Sequence, residues 1–142
     1  MNAHTGAYVQ SPISFVYSKD GGATFSAPQL IAGNVLYSQG SHPAVGPDGT
    51  VYVFWDGSTR KATLDSIWVV KSTDGGVTWS QPVAVSPLVD IIPVANTAFR
   101  VNSYPGASVA PDGTVYVTWS SLMVSFSPTR SSSACTTKAS CW

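Results

Sequence analysis

The chain repeats itself at two interleaved offsets, and that most limits what it can fold into. Ser18-Lys19-Asp20-Gly21-Gly22-Ala23-Thr24-Phe25-Ser26 returns 54 residues on as Ser72-Thr73-Asp74-Gly75-Gly76-Val77-Thr78-Trp79-Ser80. Pro47-Asp48-Gly49-Thr50-Val51-Tyr52-Val53-Phe54-Trp55 returns 64 residues on as Pro111-Asp112-Gly113-Thr114-Val115-Tyr116-Val117-Thr118-Trp119. Strand-like units recurring at periods of this size indicate a propeller or a solenoid.

Each unit reads as β-hairpins. Val51–Trp55 and Val115–Trp119 are β-branched and aromatic runs entered through Asp-Gly, a strong hairpin signal. Ile13–Tyr17 and Ile67–Val70 lead into Asp-Gly-Gly turns, whose glycines supply positive φ. The Asp carboxylate is expected to bond the turn's own N–H groups, with Phe25 or Trp79 folded under it as a plug. All seven acidic residues are aspartates, and glutamate is absent. Little Glu and Lys beside abundant Gly, Pro, Ser, Thr and Val suits strands and turns. No stretch has a 3.6-residue apolar period, so the expectation is all-β.

Charge is sparse, 10% of residues, and balances to zero. This argues against a nucleic-acid partner or a polybasic membrane surface, which need clustered Lys and Arg. The longest apolar runs are strand-length, so no membrane span is expected. The first residues lack the basic start and apolar run of a signal peptide, which leaves localisation open. Cys135 and Cys141 would close only a tiny loop and read as incidental. From 127 to 142 the sequence is Ser/Thr-rich, loses the strand pattern and reads as a flexible tail.

Ser-x-Asp-x-Gly-x-Thr-Trp/Phe resembles the Asp box, or BNR repeat, of sialidase-like β-propellers, over roughly residues 8 to 120. In that family the box joins the third and fourth strands of a four-stranded blade. The resemblance therefore implies two blades' worth of propeller within residues 1–126. Residues from about 8 to 32 are the last two strands of one blade, 42 to 86 a complete blade, and 103 to 124 the first two strands of the next. Such a piece begins and ends in mid-blade and would expose sheet edges. Propellers need about four blades or more. The two half-blades are complementary, so a head-to-tail contact between copies closes a ring. Three copies give the six blades that sialidases use, and the expectation is a homotrimer with C3 symmetry.

The resemblance places Asp20 and Asp74 on the face away from the active site, and strand alternation puts Asp48 and Asp112 there too. Candidate functional residues then lie in the loops of the opposite face, the usual place for a site on a rigid scaffold. They are His42, Asp56, Arg60, Lys61, Asp65, Asp90, Asn96, Arg100, Asn102 and Tyr104. A family sialidase uses three arginines on the substrate carboxylate, a Tyr–Glu nucleophile pair and an Asp acid/base. Phe99-Arg100-Val101 loosely resembles the family's Arg-containing motif, and Arg60 is a possible second arginine. Without Glu the Tyr–Glu pair cannot be built, so a standard sialidase mechanism is not expected.

Three functions remain open. One is a ligand site in the central funnel for a carbohydrate or another small polar or anionic molecule, with Arg60 and Asn102 as binding residues. Another is a metal-dependent, promiscuous hydrolase. His42 opens an inner strand, and three copies on the axis could hold a divalent ion such as zinc, which lowers the pKa of a bound water. Asp56, Arg100 and Tyr104 would then serve as base or anion clamp. Against this, the favoured reading of His42 is a hydrogen bond to a loop carbonyl near the axis. The third is a self-assembling gene fragment without evolved activity.

Overall fold

A computed structural model of the chain describes residues 10–60, 66–89 and 102–122. Eight strands, and no helix, are found among them: β1 (Ser14–Phe15), β2 (Gln29–Leu30), β3 (Tyr37–Val45), β4 (Val51–Ser58), β5 (Ser66–Ser72), β6 (Val83–Pro87), β7 (Gly106–Val109) and β8 (Val115–Thr118). They form three antiparallel sheets of two, four and two strands, ordered β1-β2, β3-β4-β5-β6 and β7-β8. Lys61, Asp65, Asp90, Asn96, Arg100 and the stretch from 127 lie outside the described residues.

The four-stranded sheet is buried on both faces near its middle. On one face Val53, Trp55 and Val70 meet Ile31, Ala32 and Val35, with Ile13, Phe15, Trp68 and Trp79 packed around them. On the other face Phe54, Asp56 and Ile67 are also fully buried. The side-chain alternation of a strand explains the division, because paired residues share a face: Val53 with Val70, and Asp56 with Ile67. Pro43 is tolerated because β3 is an edge of its sheet. Beyond that edge lies β7, where His42 Nε2 bonds Ala107 O at 3.0 Å.

Four expectations need correction. β3 begins at Tyr37, so His42 lies inside its strand rather than opening it. β4 continues through Ser58, so Asp56 lies in a strand rather than in the loop. Gly57 there is no turn residue. A Cβ on it would lie 2.9 Å from the Trp55 ring and 3.0 Å from Tyr37 O, so only glycine fits. β1 is shorter than the run Ile13–Tyr17 suggests. Phe25 is no plug: it is 64% exposed, whereas Trp79 is half-buried.

Candidate functional site

Successive hairpins put the turns after β1, β3, β5 and β7 at one end of the sheets. Asp20 and Asp74 there share most of their local bonds, Asp74 accepting one more from the Val77 amide at 3.0 Å. Ser18 Oγ donates to Asp20 Oδ1 at 2.7 Å, and Ser72 Oγ to Asp74 Oδ1 at 2.7 Å. The Thr24 and Thr78 amides reach those carboxylates at 2.9 Å. Hydrogen bonds from the Thr24 and Thr78 hydroxyls, then from their amides, hold both carboxyls well below the usual carboxylate range. Asp48 and Asp112 are lowered by the Thr50 and Thr114 amides in the β3–β4 and β7–β8 turns. Every one of these carboxylates is occupied by its own turn, which makes them staples of the backbone.

The opposite end holds a different arrangement. Between Gln39 and His42 the β3–β4 register shifts, and Gly40 takes a φ of 61°. Left-handed backbone of this kind favours glycine. A Cβ on Gly40 would overlap the Tyr104 ring, so the aromatic face rests directly on the backbone of the bulge. Asn102 and Tyr104 reach this place because residues 102–105 alternate. Ser103 and Pro105 are buried, while Asn102 and Tyr104 turn outward.

Asn102 Nδ2 donates to Gln39 Oε1 and, at 2.8 Å, to the Tyr104 hydroxyl. That hydroxyl donates in turn to Gln39 Oε1 at 3.4 Å. Gln39 Nε2 and Asn102 Oδ1 are left as a donor and an acceptor with no partner among the described residues. Tyr104 is 51% exposed. The result is a neutral donor–acceptor pair beside an open aromatic platform.

The structure thus brings together two of the residues singled out in the sequence, Asn102 and Tyr104. Asp56 is paired in register with Gln39, but its carboxylate is 0% exposed, and burying a charge is costly unless it is compensated. Its side chain does not face solvent. Arg60 is exposed beyond β4, where its amide bonds Ser58 Oγ at 2.9 Å. His42 is half-buried, and its bond to a carbonyl oxygen makes Nε2 the protonated nitrogen. Only Nδ1 would then be open to a metal. Among the described residues no three His, Cys, Asp or Glu side chains are grouped to hold a metal ion.

Gln39 had not been singled out. Its signal was Gly40, since a glycine inside a strand pattern marks a bulge or a close approach. Comparison of the chain with family models, curated proteins and solved structures gave no match.

Proposed function

We propose that the chain supplies two blades' worth of a sialidase-like β-propeller, closed as a six-bladed ring by three copies, and that the ring binds a neutral carbohydrate. The two-, four- and two-stranded sheets support the blade reading. The ligand reading rests on a single observation, the Gln39–Asn102–Tyr104 cluster at the end opposite the Asp turns. Gln39 Nε2 and Asn102 Oδ1 match the acceptor and donor of neighbouring sugar hydroxyls, and Tyr104 offers a ring face for a sugar's apolar side. The cluster holds no charge exposed to solvent, so hydroxyl-rich ligands suit it better than anions. A hydrolase centred on His42 draws less support, because one of its two ring nitrogens is engaged by Ala107.

Saturation-transfer NMR with neutral and anionic saccharides tests the ligand reading. Transfer to neutral sugars is expected, with a loss of about tenfold in affinity (about 1.4 kcal/mol) in Tyr104→Ala. Asn102→Ala is expected to weaken binding less. Absence of transfer to any sugar, or transfer untouched by Tyr104→Ala, overturns it.

A further inference from the structure

The first and second sheets already meet through a joint, and the chain carries both halves of that joint a second time, unfilled. In the filled joint, Phe15 of β1 packs edge-on against Trp79, ring centroids 4.7 Å apart. It also closes over Gly76, where an added Cβ would fall 3.0 Å from Phe15 Cζ. Trp79 and Gly76 belong to the Asp74 turn. An aromatic from one sheet therefore covers the Asp turn of the next.

The 54-residue offset identifies the unfilled halves. Gly22 and Phe25 of the Asp20 turn correspond to Gly76 and Trp79. Gly76 is buried and Gly22 exposed; nothing lies within 4 Å of a Cβ placed on Gly22. Phe15 corresponds to Val69, which lines an apolar groove of about 230 Å³ with Tyr52, Lys71, Ser80 and Val83. One surface is thus an Asp turn without a cover, the other a cover without an Asp turn.

The strand edges repeat the same relation. β4 corresponds to β8 and β5 to β1, yet β4 pairs with β5 while β8 and β1 sit in separate sheets. Val16 is 43% exposed where its counterpart Val70 is buried. Tyr116 is likewise exposed where its counterpart Tyr52 is half-buried.

We infer that β8 of one copy pairs with β1 of a second copy, and that Phe25 and Gly22 of the second copy seat on the Val69 groove of the first. The β4–β5 register, with Val53 opposite Val70 and Tyr52 opposite Lys71, fixes the pairs. Val117 meets the second copy's Val16, Tyr116 its Tyr17, and Val115 its Ser18. The contact is head-to-tail, so each copy offers both halves and the series ends only by closing. This joint deepens the propeller reading and is independent of the carbohydrate.

Disulfide trapping on the full chain tests it, with Cys135→Ser and Cys141→Ser as background. Val16→Cys is combined with Val117→Cys, and separately Tyr17→Cys with Tyr116→Cys. Neighbouring antiparallel pairs alternate between hydrogen-bonded and closer non-hydrogen-bonded spacing, so one of the two has the shorter separation. Expected are reducible oligomers whose ladder stops at the ring number, at least tenfold more abundant than with the misregistered Val16→Cys/Val115→Cys. Phe25→Asp is expected to shift light scattering to the monomer mass while the circular dichroism stays β. Monomeric wild-type protein, equal trapping in both registers, or a mass unchanged by Phe25→Asp would each overturn the joint. Sugar binding without trapping sinks the joint alone; trapping without sugar binding sinks the ligand reading alone.

Discussion

The Asp20 and Asp74 turns share a motif, most of their hydrogen bonds and nearly the same glycine angles, with φ of 72° and 94° in one and 73° and 93° in the other. Their surroundings differ. Trp79 has Phe15 against it, while Phe25 stands in solvent. The turn is therefore written in its own nine residues, but the burial of its aromatic is supplied by the neighbouring sheet. Local hydrogen bonding and packing, usually entangled, are separated here within one molecule.

The largest test of that separation is truncation of the two aromatics. Trp79→Ala removes a ring from the edge of the core cluster and strips Phe15 of its partner, and should cost about 3 kcal/mol. Phe25→Ala, made in dilute protein where copies are apart, should change stability by less than about 0.5 kcal/mol. Urea unfolding midpoints compare them. Equal losses would show that the exposed aromatic is already packed and would end the contrast.

The glycines sharpen the same contrast. Gly76→Ala places a methyl group against Phe15 at a φ of 93°, adding overpacking to backbone strain, for a loss of about 2 to 3 kcal/mol. Gly22→Ala meets open space at a φ of 94° and keeps only the strain, about 1 kcal/mol. The difference between the two measures the neighbour's contribution, since the backbone term is common. In an assembled ring Gly22→Ala should become more costly than in the separated chain.

This separation also explains what the sequence could and could not reveal. The Asp turns and the Pro-Asp-Gly turns at 48 and 112 were legible because their hydrogen bonds close within a few residues. The grouping of strands as two, four and two followed from the resemblance of those turns to the Asp box, which implies their place between the third and fourth strands of a blade. The fate of Phe25 was not legible, because a motif does not say whether another sheet stands beside it. Asp56-Gly57 looked like the start of a loop. Instead the Trp55 ring and Tyr37 O crowd Gly57 inside a strand, a tertiary reason absent from the dipeptide. Of the candidate site, Asn102 and Tyr104 were legible as polar and aromatic residues in a long loop opposite the Asp turns. Gln39 was not, since its position depends on a bulge whose only trace is Gly40.

The smallest expected effect is also the one that isolates the turns themselves. Both carboxyls are depressed in the folded state, chiefly by the Thr24 and Thr78 hydroxyls. A group with a lowered folded pKa contributes stability that is complete above its unfolded value, about 4 for Asp. The contribution fades as pH falls below 4 and is gone once the folded carboxyl takes its proton. Unfolding midpoints should accordingly be insensitive to these groups from pH 5 to 7 and decline below pH 4, with Asp74→Asn and Asp20→Asn each flattening part of the decline. Carboxyl carbon NMR shifts followed from pH 5 downward should show both residues still ionised when ordinary aspartates have titrated. Because every proton donor to Asp20 lies within its own turn, the absent cover over Phe25 should not raise its pKa relative to Asp74. An Asp20 that titrates at the ordinary value would mean that the turn, as well as its aromatic, depends on a neighbouring sheet.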